Sequence, residues 1–182
     1  MSLRSHIGRL AADRSLRSEL ADLPPWPTRR WAILACMDAR LALELTLGLR
    51  PGDAHGLRPG DAHVIRNAGG LVTADALRSL LISSQVLGTR EIAVIEHTDC
   101  GMLTLDEAAT GRLIAERTGS DLSGLELLSF RDLEANLRAQ VDRLAACLLL
   151  PSEIPVTGFV YEVETGRLRE IASAYTGMDL AT

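Results

Sequence analysis

Cys36, His97 and Cys100 carry side chains suited to holding a transition metal, and each stands at or just beyond the end of a short apolar run. Cys36 closes R-W-A-I-L-A-C at 30–36, whereas His97 and Cys100 follow E-I-A-V-I-E at 91–96 in the tetrapeptide H-T-D-C. Two thiolates and one imidazole make a catalytic zinc set that leaves a fourth position for water. The spacing lets a single turn present both His97 and Cys100. Taken alone, these three residues fit buried thiols and a hydrogen-bonded histidine equally well. Cys147, within L-A-A-C-L-L-L and with no histidine nearby, reads as core filler.

Asp38 and Arg40 follow Cys36 in the segment C-M-D-A-R. A carboxylate so close to a ligand can take the metal as a fourth donor or accept a hydrogen bond from metal-bound water. Arg40 can pair with it bidentately, which keeps it ionised and off the metal. The competing reading is a surface ion pair worth ~0–1 kcal/mol. The position beside Cys36 weighs against that reading.

These residues need a scaffold that brings strand ends together. The runs at 30–36, 62–66 and 91–96 read as strands, the first and third buried on both faces, as in a parallel sheet. Helical patterns lie between and after them, over 39–49, 73–87, 103–118 and 131–150. Thr73 is the expected cap of the second and Gly88 its stop. Residues 156–163 alternate, turn at Thr165-Gly166 and resume over 167–171, a β-hairpin signature. Residues 2–22 place Leu3, Ile7, Leu10 and Ala11 at helical spacing, and D-L-P-P-W-P at 22–27 ends that helix. The expectation is one α/β domain over 1–182, with a mainly parallel central sheet flanked by helices, an N-terminal helical arm over 1–27 and a C-terminal hairpin. Ligands of open α/β sheets gather at strand carboxyl ends near a topological switch point, where Cys36 and His97 fall.

Composition narrows the function. The 182-residue chain is 47% apolar but only 3% aromatic, so Leu, Ala, Ile and Val must fill its core. A net charge of −5 with scattered Lys and Arg argues against a nucleic-acid surface. No apolar run reaches the ~18–20 residues of a membrane span, and the N-terminus lacks the apolar stretch of a signal peptide. A cytoplasmic location is the expectation. Three cysteines is an odd count that does not suggest a disulfide framework. No G-x-G-x-x-G follows a strand, which removes the dinucleotide-binding reading.

Three ordered motifs, C-M-D-A-R at 36–40, H-V-I-R-N-A-G-G at 63–70 and H-T-D-C-G-M at 97–102, resemble the β-class carbonic anhydrases, closest to the short actinobacterial members. The resemblance spans roughly residues 28–171. Ala39 stands where the usual first motif has Ser. The resemblance implies Zn2+ on Cys36, His97 and Cys100, and an Asp38–Arg40 catalytic dyad, with Asp38 taking the fourth zinc position in some members. It implies hydration of carbon dioxide to bicarbonate by zinc-bound hydroxide, and a homodimer or homotetramer whose N-terminal helix wraps the partner. Trp26 and Trp31 are open to either the interface or the core. Gly69 and Gly70 are expected to turn the chain beside the metal, although an ordinary strand-end turn explains Gly70 at least as well. Asn67 and Ala68 are expected near the site without a chemical role.

Two rivals remain. Carbon disulfide or carbonyl sulfide hydrolases share the second and third motifs and would apply the same chemistry to a related linear molecule. A non-catalytic zinc domain would need a fourth protein ligand, which only Asp38 offers.

One feature stands apart. G-L-R-P-G-D-A-H occurs at residues 48–55 and again, unchanged, at 56–63. Eight identical residues in tandem point to a duplication, too short for a solenoid repeat. Lengthening a loop is thermodynamically mild, about 0.6 kcal/mol per doubling. A looped-out octapeptide with activity intact is therefore slightly favoured over an insertion that perturbs the site or the dimer contacts and leaves a weak or silent zinc-binding homologue. His55 and His63 are candidates for an extra metal site or proton relay, though solvated loop histidines are the commoner case.

Overall fold

The computed structural model of the chain describes residues 2–5, 7, 23–47, 57–122 and 124–177. Five strands form one sheet: β1 (Trp31–Cys36), β2 (Ala62–Asn67), β3 (Glu91–His97), β4 (Pro155–Glu162) and β5 (Arg167–Tyr175), in the order β2-β1-β3-β4-β5. The first three pairings are parallel, and β4–β5 is the antiparallel hairpin. The expected α/β architecture is present. The chain moves from β1 to β2 on one side, then crosses to β3 on the other. The crevice between the carboxyl ends of β1 and β3 is the topological switch point.

The helices are α1 (Leu43–Thr46), α2 (Ala74–Gln85), α3 (Gly101–Thr104), α4 (Glu107–Thr118) and α5 (Leu133–Ala145). On one sheet face α2 and α5 bury Ala76, Leu80, Leu137, Val141 and Leu144 against Leu34, Val94, Val156 and Val160. Gly158 permits this contact: a Cβ there would meet Val141 at 2.9 Å and Leu137 at 3.0 Å. The opposite face carries a second cluster of Ile33, Ala35, Cys36, Leu41, Leu43, Leu57, Ile95 and Cys100. The metal-ligand candidates lie on this second face.

Several boundaries differ from expectation. The helix expected over 39–49 is only α1, and residues 48–50 lie outside the described residues. Its expected first turn is replaced by tighter ones, in which Leu41 N donates to the Asp38 carbonyl and Ala42 N to the Arg40 carbonyl. Asp38 Oδ1 takes the Arg40 N–H, and Arg66 takes the carbonyls of Asp38 and Leu41. The helix expected over 103–118 is broken between α3 and α4, where Asp106 caps α4 by accepting from Ala109 N. The helix expected over 131–150 is α5 alone: Asp132 caps it and the Gly177 N–H takes the Ala145 carbonyl near its end. Cys147 therefore lies beyond the helix, half-buried against the first core cluster. Thr73 caps α2 as expected, but the helix stops at Gln85, before Gly88.

The N-terminal arm lies mostly outside the described residues, although residues 3–5 and 7 are helical. The first octapeptide copy, residues 48–55, is also outside them. The second copy is built into the fold from residue 57. Leu57 is buried in the second core cluster, and Asp61 accepts from the Thr28 hydroxyl and the Arg58 N–H. His63 sits on β2, between the Ser83 hydroxyl at 2.8 Å and the Pro25 carbonyl at 3.1 Å. It lies about 13 Å along β2 from Asn67, the register partner of Cys36. Strand spacing thus removes it from the ligand cluster.

Candidate metal centre

β1 ends on Cys36 and β3 ends on His97, and Cys100 is the N-cap residue of α3. All three are buried, and their donor atoms lie within 4.8 Å of one another. Cys36 Sγ is 3.9 Å from Cys100 Sγ. His97 Nδ1 lies 2.9 Å from the Thr98 carbonyl. A carbonyl only accepts, so the proton of the neutral ring is on Nδ1 and Nε2 carries the lone pair. Nε2 has no hydrogen-bond partner among the protein atoms. A buried nitrogen without a partner is costly, and a divalent cation among these three donors would satisfy it together with both sulfurs. The donor set therefore fits zinc.

The thiols differ in acidity. A hydrogen bond from Cys100 holds the Cys36 thiol well below the usual range, against the opposing effect of burial. Donating that bond, together with burial, raises Cys100. Burial pushes the His97 imidazole down, but the neighbouring Cys36 thiolate outweighs it and raises the ring. The pocket already favours one thiolate.

Asp38 stands beside this cluster, its Oδ2 3.7 Å from His97 Nε2. Arg40 donates from Nε to Oδ1 at 3.0 Å and from Nη2 to Oδ2 at 2.8 Å. This fork, with the Arg40 backbone N–H, holds the Asp38 carboxyl far below the ordinary carboxylate range. The expected bidentate pair is present, and Asp38 Oδ2 keeps acceptor capacity towards the ligand cluster.

Two contacts were not expected from the sequence. Arg66, on β2, donates to the carbonyls of Cys36, Asp38 and Leu41, so one guanidinium fixes the backbone of the turn that carries Asp38. Asp99 accepts from Arg40 Nη1 at 2.7 Å through its carboxylate and from Nη2 at 2.9 Å through its carbonyl. Both residues lie inside the quoted motifs, but nothing in their spacing identifies these partners. An open cleft of about 550 Å3 flanks Arg40 and Asp99 and reaches Glu162 on the hairpin.

Gly70 is more than a strand-end turn. It has φ +69°, and a Cβ there would meet Cys36 N and Ile95 O at 3.0 Å. The absence of a side chain lets this segment cross the crevice between β1 and β3. Asn67 closes the same turn by exchanging two hydrogen bonds with the Leu71 backbone. Beneath the sheet, Glu96 is buried with Oε1 accepting from Asn136 and Oε2 without a protein partner. Burial raises its carboxyl to about 8. Trp26 is exposed, and Trp31 lies under the Arg29 guanidinium, 5.0 Å from its ring centroid. No helix among the described residues is long and apolar enough to cross a membrane.

The family model described as Carbonic anhydrase matches residues 31–168. Beta-carbonic anhydrase 1 of Mycobacterium tuberculosis is 41% identical over 149 residues, covering 82% of this chain and 86% of that protein. A carbon disulfide hydrolase of Saccharolobus solfataricus is 40% identical over 165 residues, covering 78% and 77%. Among solved structures, a carbonic anhydrase from Streptococcus mutans superposes with a TM-score of 0.82 at 38% identity, covering 94% of this chain and 99% of that one. With the family match across its sheet and these identities over most of its length, the chain belongs to the β-carbonic anhydrase family of lyases.

Proposed function

We propose that this chain catalyses the reversible hydration of carbon dioxide to bicarbonate with a zinc ion held by Cys36, His97 and Cys100. The observation that carries the reading is the partnerless His97 Nε2, buried between two thiols and beside a carboxylate that Arg40 keeps ionised. Zinc in such a set acidifies a coordinated water and so supplies a nucleophile at neutral pH. The remaining work falls to the chain. Asp38, ionised, can only accept a hydrogen bond, so its free Oδ2 capacity orients the nucleophile's O–H. Arg40 holds that carboxylate in place, and Arg66 holds the backbone beneath it. Carbon dioxide plus water gives bicarbonate plus one proton, which must pass to solvent in each turnover.

The 40% identity to a carbon disulfide hydrolase supports a second reading, hydrolysis of carbon disulfide or carbonyl sulfide at the same residues. Stopped-flow carbon dioxide hydration by the zinc-loaded protein, run beside a hydrogen sulfide release assay, separates the two. Hydration without sulfide release supports the first reading; the reverse result replaces it with the second.

A homodimer or homotetramer in the cytoplasm is the proposed working form. β2 is an edge strand with Val64 exposed, and Trp26 is exposed as well. Sedimentation of the purified protein tests this assembly.

A further inference from the structure

The metal-ligand candidates stand at the ends of β1 and β3 and at the start of α3, and one side chain joins the segments that follow the two strands. Arg40 belongs to the turn after Cys36 and uses Nε and Nη2 on Asp38. Its other contacts cross to the loop between His97 and Cys100, where Asp99 accepts from Nη1 and Nη2. Asp99 adopts φ +54°, a left-handed conformation that few non-glycine residues take and that Asp tolerates better than most. Its side chain is 81% exposed, so an ion pair there adds little to stability. The cost in backbone conformation therefore needs an explanation other than folding.

The geometry supplies one. Arg66 fixes the carbonyls of Cys36, Asp38 and Leu41, so the turn is held as backbone and the freedom that remains is in side chains. Asp38 Oδ2 is already within 3.7 Å of a ligand nitrogen. A rotation of that carboxylate onto the metal would remove the position that water needs. If Arg40 were held by Asp38 alone, the two could rotate together. Asp99 ties the guanidinium to the loop that carries His97 and Cys100, so Asp38 can move only by breaking the fork.

Resting on the zinc reading above, we propose that Asp99 is a positioning residue that acts through Arg40 to keep Asp38 off the metal and the fourth coordination position open. The test uses the cobalt(II)-substituted protein, whose visible spectrum reports the coordination set, and thiocyanate as a probe of the open position. Asp99→Ala is expected to bind one equivalent of metal and to melt within a few degrees of wild type. Its spectrum should move towards that of Arg40→Ala, with thiocyanate affinity and kcat each reduced about 10-fold. Asp99→Glu should recover most of both, and isosteric Asp99→Asn provides a second variant should the alanine protein fold poorly. In the Arg40→Ala background, removing the Asp99 carboxylate should have less than about a twofold further effect.

A wild-type spectrum and thiocyanate affinity in both Asp99→Ala and Asp99→Asn would overturn the proposal. So would an undiminished effect of Asp99→Ala in the Arg40→Ala background. If the wild-type protein fails to hydrate carbon dioxide, the functional reading fails, and thiocyanate affinity still decides the role of Asp99.

Discussion

Cys36 Sγ and Cys100 Sγ lie 3.9 Å apart, although 64 residues separate them in the chain. Two thiols at that distance cannot both ionise freely without a cation. Cys100 donates its proton to Cys36, which lowers one and raises the other. Zinc requires both as thiolates, so binding must expel the retained proton. Titrating zinc into the metal-free protein at pH 7, in buffers of different ionisation enthalpy, should show at least one proton released per metal. Because His97 is also raised, the count should grow as pH falls. Zinc uptake with no proton release would contradict this ligand set.

Removing the charge of Asp38 should separate binding from catalysis. Asp38→Asn keeps the shape of the side chain but loses the charge-assisted fork to Arg40. Zinc content should remain at one equivalent, while kcat for hydration falls on the order of 10²-fold. Stopped-flow kinetics beside metal analysis checks both halves. Unchanged turnover would remove Asp38 from the mechanism.

Glu96 should make the protein less stable in alkali. Its carboxyl is raised from the usual 4.5 to about 8, chiefly by burial. Between those values the folded protein keeps a proton that the unfolded chain has released, so stability is present at low pH and declines as pH rises through the window. Glu96→Gln stays neutral throughout. It should melt close to wild type at pH 5 and several degrees higher at pH 9. Thermal melts at the two pH values test this, and an equal difference at both would refute it.

The second octapeptide copy supplies Leu57 to the core and Asp61 to a hydrogen-bonded turn. Deleting residues 48–55 leaves those contacts in place. The deletion variant should melt within a few degrees of wild type, since loop length enters only logarithmically. Its hydration rate should match as well. A large rise in rate would mean that the duplication impairs the site, where even a small misplacement can cost ~10²-fold.

The strands and the three ligand candidates could be read from the sequence because apolar runs end on them. Cys36 and His97 close β1 and β3. Asp38 and Arg40 were also legible, since their pairing is local. Arg66 and Asp99 were not, because their partners lie 25–30 and 59 residues away and include backbone carbonyls that no residue type announces. Gly70 was underrated for a similar reason: its need to lack a side chain arises only where the Cys36 and Ile95 backbones converge. The helix expected over 39–49 failed because the backbone turns tightly at Asp38 and Arg40 and Arg66 takes the Leu41 carbonyl that the helix would have used. Composition cannot register that competition.

X-ray absorption at the zinc edge of the loaded protein reads the ligand set itself. Two sulfur neighbours at about 2.3 Å and two nitrogen or oxygen neighbours near 2.0–2.1 Å are expected. A zinc shell without sulfur, or with one sulfur only, would contradict that set.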